Sequence, residues 1–138
     1  MLEHYETLAA AIVDAVAVFD PSLAVFGLSG GSLAEAAERR GLAARHEVFA
    51  DRAYLGDGSL APRTREDAVI HDAAVAADRI AGLLERGSLP SMDGTPLRLR
   101  CDTLCFHGDT PGAVDIARGL RKALKDNKID VAPFKTAK

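Results

Sequence analysis

The triplet His107, Gly108 and Asp109 places an imidazole and a carboxylate two residues apart, just before a segment with the pattern of a helix. A histidine can act as general acid or base, and an aspartate can orient it, hold a metal ion or position a polar substrate. The alternative is that Asp109 or Thr110 only caps the following helix. The triplet is therefore a candidate site whose position in the fold decides between the two interpretations.

A second polar group, Glu47, Asp51 and Arg52, flanks a short apolar run. Alternate residues of a strand share a face, so Glu47 and Asp51 can lie on the same side. In a sheet interior Glu47 would be either a functional carboxylate or half of a buried ion pair. Arg52 could clamp a carboxylate with two hydrogen bonds, and the alternative is a surface pair of Asp51 with Arg52.

The run Gly27-Leu28-Ser29-Gly30-Gly31 matches the G-x-S-x-G pattern of a nucleophile elbow. The chain order Ser29, Asp51, His107 also suits a hydrolase triad. However, only one helix precedes this run, whereas that fold places several strands before its nucleophile. The glycines are better explained by a tight turn, with Gly30 and Gly31 offering backbone N–H groups to an anion at a helix N-terminus.

Cys101 and Cys105 are the two cysteines of the chain. Their spacing could suit a metal pair, but no second pair accompanies them, so small core residues are the better interpretation. They form no disulfide framework. The sequence leaves the presence of a metal open.

Apolar periodicity predicts alternating strands and helices. The predicted helices span roughly 3–20, 32–40, 72–86 and 111–125, the second opened by a capping box at Ser32 and Glu35 and the last with Pro111 at its first position. The predicted strands span 23–27, 46–50, 97–102, 103–106 and 129–132, with a tight turn at Asp93-Gly94. The runs 23–26 and 103–106 have the composition of strands buried on both faces.

This order predicts an α/β fold with a parallel sheet. In such folds the loops after the strands open on one face, which holds the site. Three segments qualify: Gly27–Ser32, the irregular stretch from Asp51 to Ile70, and His107–Asp109. We expect their polar residues to converge on that face.

The chain has 138 residues, which predicts one α/β domain over 1–134 and a solvated tail over 135–138. It is 48% hydrophobic and 27% charged, as in globular proteins. The net charge of −3, with mixed signs, favours neither nucleic acid nor a membrane surface as partner. Without a spanning segment or a basic leader, we expect a cytoplasmic protein.

Five motifs carry a family resemblance. Residues Glu47 to Tyr54 resemble the E-V-F-A-D-R-x-Y signature of the LamB/YcsF family. The segments Asp20–Leu28, Asp57–Arg63, Ala68–Asp72 and Thr103–Asp109 resemble its D-P-x-L-x-x-x-G-L, D-G-x-L-x-P/S-R, A-V-I-H-D and T-x-C-x-H-G-D motifs in the same order.

The resemblance implies a partial (β/α) barrel related to the sugar deacetylase superfamily. It also implies a hydrolase component that acts with two partner subunits, B and C, in ATP-dependent opening of the 5-oxoproline lactam to L-glutamate. On that basis His107, Asp109 and Asp51 are the expected catalytic residues. Arg52, Glu47, Gly30 and Gly31 are the expected substrate-binding residues, and ATP is expected through the assembled complex.

The family's N-terminal D-L-N-x-D-x-G-E and K-P-H-G-A-L-Y-N motifs have no counterpart in these residues. The resemblance therefore predicts that the chain corresponds to the C-terminal half of the family. We expect it to self-associate or to bind the missing N-terminal half. The alternative function is a non-catalytic remnant that binds a metabolite or a partner protein.

Overall fold

A computed structural model describes residues 2–109 and 111–134, with side chains from Tyr5 onward. The chain divides into two compact units. The described residues of the first lie in 2–48, 100–103 and 133–134, and those of the second in 49–99, 104–109 and 111–132. The predicted single domain over 1–134 stays a prediction, and the tail over 135–138 lies outside the described residues.

The first unit contains helix α1 (Leu2–Phe19), strand β1 (Ala24–Leu28), helix α2 (Ser32–Arg40) and most of strand β2 (Ala43–Phe49). β1 and β2 pair in parallel, from Ala24 opposite Ala43 to Leu28 opposite Glu47. The core between these elements consists of small and medium apolar side chains: Ala9, Val13, Val25, Ala36, Ala37, Leu42 and Ala44. Small side chains allow close approach of helix and strand, as the parallel α/β pattern requires.

The second unit contains helix α3 (Ala73–Arg86), strands β3 (Leu89–Pro90) and β4 (Pro96–Leu97), most of strand β5 (Thr103–Cys105) and helix α4 (Ala113–Asp126). α3 and α4 pack closely enough that a Cβ on Gly119 would lie 3.1 Å from the carbonyl oxygen of Ala73. The stretch after β2 folds back on itself through antiparallel bridges between Arg52 and Val69 and between Tyr54 and Leu60.

The strands β1, β2 and β5 form a sheet in that order. In the first unit the amide of Asp102 donates to the carbonyl of His46 over 2.9 Å. In the second unit the amide of Ala50 donates to the carbonyl of Cys105 over 2.8 Å. The segments that follow β2 and β5 in the chain are therefore neighbours in the second unit.

The predicted α/β class with parallel strands is confirmed. The four predicted helices and the Asp93-Gly94 turn are present, within a few residues of the expected bounds. Gly41 and Gly87 end α2 and α3 in the left-handed conformation, with φ of 80° and 70°. Glycine favours this conformation because it has no Cβ to collide with the preceding turn.

The predicted start of α2 is confirmed, but its capping box is wrong, and so is the predicted first residue of α4. The capping box at Ser32 does not form, because Gly31 is the N-cap of α2 and no side chain caps it. Pro111 precedes α4 without being its first residue, since Gly112 is the N-cap with φ of 83°. In both places a glycine main chain takes the terminal position, so the side-chain signals lie one or two residues out of register.

Four strand predictions are wrong. Residues 98–102 extend no strand beyond β4, and residues 129–132 form none. β1 is not buried on both faces, because Phe26 is 42% exposed and alternates with buried Val25 and Gly27. β5 is only partly buried along its length. Apolar composition therefore predicted that β1 and β5 are strands but did not predict how far their faces are buried.

The N-cap of α3 gives a stability prediction. The Asp72 carboxylate accepts hydrogen bonds from the amides of Ala74 and Val75 at 2.8 and 3.1 Å. Asp72→Ala should lower the free energy of unfolding by about 1 kcal/mol in urea titration, because both amides lose their acceptor. Asp72→Asn should retain most of the stability, and Asp78→Ala on the exposed face of α3 is the matched control. Equal loss in the alanine and asparagine variants would contradict a capping role.

Candidate functional site

The carboxylate of Asp51 and the imidazole of His107 meet in the second unit. Asp51 Oδ2 accepts the main-chain N–H of His107 over 2.8 Å, and Nδ1 of His107 lies 3.0 Å from the same oxygen. Asp51 is fully buried, whereas the His107 side chain is 24% exposed. A buried carboxylate is stable only when hydrogen bonds replace its hydration, and His107 provides two of them.

The hydrogen bond to Asp51 sets the chemistry of the ring. An ionised carboxylate only accepts hydrogen bonds, so a hydrogen bond to ionised Asp51 requires a proton on Nδ1 and leaves a lone pair on Nε2 of a neutral ring. The aspartate holds the ring in one tautomer and orientation, as the carboxylate of a catalytic triad does for its histidine. The pair can therefore take a proton at Nε2 and return it. The predicted pairing of Asp51 with His107 replaces the surface Asp51–Arg52 pair as the better interpretation.

Phe49 and Tyr54 position the ring of His107 further. The Phe49 and His107 rings stack with centroids 5.6 Å apart and an angle of 23° between their planes. The hydroxyl oxygen of Tyr54, a fully buried residue, accepts the main-chain N–H of Phe49 over 2.8 Å. A hydrogen bond thus joins Phe49 and Tyr54, which are the first and last residues of the E-V-F-A-D-R-x-Y segment within this unit. In the sequence Tyr54 is recognisable only as part of the E-V-F-A-D-R-x-Y resemblance, and no pattern assigns a role to Phe49.

Arg52 is 7% exposed, and its guanidinium donates to main-chain carbonyls. Nη2 donates to Ala61 over 2.7 Å and Nε to Ala68 over 3.4 Å. These bonds tie the irregular stretch after β2 to the strand end, so Arg52 organises the loop. Its predicted contact with a substrate carboxylate stays a prediction.

The remaining predicted site residues have simpler surroundings. Asp109 is exposed, and among the described residues it makes no hydrogen bond to Asp51 or His107. Glu47 is half-buried in the first unit, where its carbonyl accepts the N–H of Ser29 over 2.9 Å. The expected convergence of Glu47, Asp109 and the glycine turn with the pair stays a prediction.

The Gly27–Ser32 segment belongs to the first unit and forms a tight turn. Gly30 has φ of 72°, and a Cβ on Gly31 would lie 2.9 Å from the carbonyl oxygen of Leu28. Ser29 is 4% exposed and lacks positive φ, unlike a nucleophile on a strained, accessible elbow. The packing interpretation of the two glycines accounts for this geometry, while their expected contact with an anion stays a prediction.

His46 also has a role that the motifs did not indicate. It is buried in the first unit, where Nε2 lies 3.1 Å from Oε1 of Glu38. Arg100 donates to the same oxygen over 2.8 Å, and the Asp102 carboxylate accepts the His46 amide. This network joins α2, β2 and the segment before β5, and the pKa of Glu38 is lowered chiefly by its hydrogen bond to His46.

The described residues contain no group of three or more His, Cys, Asp or Glu side chains arranged to hold a metal ion. Cys101 and Cys105 are free thiols, each partly buried. Burial raises the pKa of the Cys101 thiol to about 11, so it is protonated at neutral pH. A separate groove of about 510 Å³ at the end of α4 contains none of the predicted site residues; it is lined by Arg121, Lys122, Leu124, Lys125, Lys128, Ile129, Asp130 and Val131.

The fold and the site define an α/β protein with a buried aspartate–histidine pair after adjacent strands. The LamB/YcsF family model matches residues 1–138, and the chain belongs to that family. The predicted resemblance is therefore confirmed. No helix in the described part of the chain is both long and apolar enough to pass through a bilayer.

Relatives with known names support the same assignment. The 5-oxoprolinase A subunit of Nitrobacter hamburgensis is 53% identical over 130 residues, which are 94% of this chain and 51% of that protein. The corresponding protein of Acinetobacter baumannii strain ACICU is 41% identical over 133 residues, 96% of this chain and 52% of that protein. The lactam utilization protein of Thermus thermophilus superimposes with a TM-score of 0.82 at 38% identity, covering 94% of this chain and 51% of that one.

The chain thus spans about half the length of the curated relatives it matches. Its family match extends over the whole chain. The further assignment to the C-terminal half of the family is not borne out by these comparisons.

The hydrogen bond between Phe49 and Tyr54 gives a prediction for the site. Tyr54→Phe should lower the free energy of unfolding by about 1–3 kcal/mol, because a buried N–H loses its acceptor. It should also broaden or shift the NMR signals of the His107 ring, which stacks on Phe49. Tyr5→Phe, at a residue 59% exposed in the first unit, is the control. An unchanged His107 spectrum in Tyr54→Phe would show that the hydroxyl does not position the ring.

Proposed function

We propose that this chain is a component of an ATP-dependent 5-oxoprolinase, a hydrolase that opens the 5-oxoproline lactam to L-glutamate. The observation that carries the proposal is the buried Asp51–His107 pair on the family's own motifs. Its family membership and the names of its relatives, a 5-oxoprolinase A subunit and a lactam utilization protein, supply the substrate class.

The pair suits the proton transfers that lactam hydrolysis requires. Water adds to the carbonyl carbon and gives a proton to Nε2 of His107, while Asp51 stabilises the imidazolium that forms. The ring C–N bond then breaks, and the nitrogen receives the proton from His107. The lactam amide is stabilised by resonance, so ring opening also needs activation. ATP, as a substrate of the assembled complex, would supply this by phosphorylating the carbonyl oxygen before water adds, with release of ADP. Cleavage of the C–N bond would then leave an acyl phosphate, which a second water hydrolyses to the glutamate carboxylate and phosphate.

The other predicted residues are assigned to substrate binding or support. Arg52 would bind the substrate carboxylate with guanidinium donors beyond those that hold the loop. Asp109, in the exposed turn after His107, would assist at the reacting groups, with Glu47 in support. Gly30 and Gly31 would offer main-chain N–H groups to an anionic group.

The complete site would be assembled from more than this chain. We propose that the two compact units belong to a partial (β/α) barrel related to the sugar deacetylases. Tyr5, Leu8, Ile12 and Phe19 on α1 recur at helical spacing and are 59%, 57%, 44% and 84% exposed. This apolar stripe suits cover by the family segment that the chain does not span, or by a second copy. Subunits B and C would complete the complex.

A second candidate function is binding without catalysis. It is favoured by the position of Asp109, a predicted catalytic residue that is exposed and, among the described residues, makes no hydrogen bond to Asp51 or His107. The same fold would then bind a metabolite or a protein partner. A chain that binds 5-oxoproline but supports no turnover in any reconstituted assembly would favour this function.

The hydrolase proposal predicts a specific reconstitution result. The chain, mixed with the remaining segment of a full-length relative and with the partner subunits, should give glutamate from 5-oxoproline with ATP consumption. His107→Ala and Asp51→Ala should each lower kcat by about a hundredfold or more, because proton transfer and its orientation are lost. Glutamate release and phosphate release are measured together.

Ser29→Ala is the control for this experiment and should retain most of the turnover. Wild-type rates in both the His107 and Asp51 variants would contradict the catalytic assignment. Complete loss of activity in Ser29→Ala, with folding retained, would instead favour the nucleophile elbow.

The exposed α1 stripe predicts association of the isolated chain. Light scattering should show dimers or larger species whose unfolding midpoint in denaturant rises with protein concentration, since association stabilises the folded state. Leu8→Gln together with Ile12→Gln should weaken association, whereas Ala10→Gln, also exposed on α1, should not. A monomer with a concentration-independent transition would refute this part of the proposal.

A further inference from the structure

Arg79 lies in α3, outside the motifs that resemble the LamB/YcsF family, and contacts the segment just after β2 in the second unit. Its Nη1 donates to the carbonyl oxygen of Ala50 over 3.3 Å and to that of Arg52 over 3.1 Å. These two carbonyls belong to the residues on either side of Asp51. One guanidinium nitrogen therefore fixes the main chain on both sides of the buried carboxylate.

The carbonyl and carboxylate of Asp51 itself have other hydrogen-bond partners, so they do not anchor the flanking carbonyls as Arg79 does. The Asp51 carbonyl accepts the N–H of Ile70 over 2.8 Å, and its carboxylate accepts the N–H of His107. The guanidinium of Arg52 donates to Ala61 and Ala68 instead. The two arginines thus have different targets: Arg52 organises the loop, while Arg79 holds the segment that carries Asp51.

The surroundings of Arg79 indicate a fixed cation. Burial lowers the pKa of the guanidinium, an effect opposed by Tyr54, yet arginine stays charged in proteins. A partly buried charge is favourable only when well-placed acceptors compensate its lost hydration. The carbonyls of Ala50 and Arg52 provide that compensation, so displacing either carbonyl costs free energy.

We propose that Arg79 is a positioning residue for the Asp51–His107 pair: by holding the carbonyls of Ala50 and Arg52, it keeps the Asp51 carboxylate in register with the N–H and Nδ1 of His107. This inference rests on the proposed function, in which that pair transfers protons. Displacement of about 1 Å between catalytic groups can lower a rate by about a hundredfold, so the fixed main chain bears directly on turnover.

The first test measures position without activity. Hydrogen exchange of the His107 and Ile70 amides, both bonded to Asp51, is followed by NMR in the isolated chain. In Arg79→Met these two amides should exchange about tenfold faster or more, because the Asp51 segment moves. Arg86→Met, which removes an exposed arginine from the same helix, is the matched control and should leave both rates unchanged.

The second test uses the reconstituted assembly. Arg79→Met should lower kcat by about tenfold to a hundredfold with KM changed by less than about twofold, as expected for lost alignment without lost substrate contacts. Arg79→Lys, which keeps a cation that can reach the carbonyls, should recover most of kcat. Added guanidinium at low millimolar concentration should partly restore Arg79→Ala.

The outcomes separate this inference from the proposed function. Unchanged exchange of both amides in a folded Arg79→Met or Arg79→Gln chain would overturn the positioning role, whatever the assembly does. Faster exchange with no turnover of 5-oxoproline by the wild-type assembly would support positioning and contradict the proposed reaction. Equal kcat loss in the lysine and methionine variants, without guanidinium rescue, would overturn the positioning role in favour of a general structural one.

Discussion

The hydrogen bonds that Asp51 accepts from His107 are the constraint on which the second unit depends. A carboxylate with no exposed surface has lost its hydration and requires strong donors in return. The amide and imidazole of His107 supply them, at 2.8 and 3.0 Å, from the residue that follows the neighbouring strand. Pairing of the two strand ends therefore stabilises the fold, and in the proposed function the same contacts build the proton-transfer group.

Other polar side chains around this pair form hydrogen bonds to main-chain groups. Arg79 holds the carbonyls on both sides of Asp51, Arg52 holds the long loop, and the Tyr54 hydroxyl holds the amide of Phe49. Each bond satisfies a main-chain group that an irregular segment would otherwise leave without a strand partner. The long stretch after β2 thus acts as a scaffold for the segment that carries Asp51.

The sequence predicted the α/β class, the four helices and the proximity of Asp51 and His107, because apolar periodicity and strand-end placement are local signals with few solutions. It predicted a capping box for α2 and Pro111 as the first residue of α4, whereas Gly31 and Gly112 take the N-cap positions. It did not predict the role of Arg79. This helix residue donates to main-chain carbonyls, which every residue has, so no motif or charged partner in the sequence indicates the contact. The exposure of Phe26 depends on which face of β1 is covered by other elements, and composition does not predict that.

The tautomer of His107 shows whether Asp51 orients the ring for proton transfer. Nitrogen-15 NMR of the imidazole distinguishes a ring protonated at Nδ1 from one protonated at Nε2. We expect neutral His107 to be protonated at Nδ1, with no proton on Nε2. Asp51→Asn should lose this preference, while the exposed His71 should be unchanged. A wild-type ring protonated at Nε2, or one indifferent to Asp51→Asn, would contradict the claim that Asp51 prepares His107 for proton transfer.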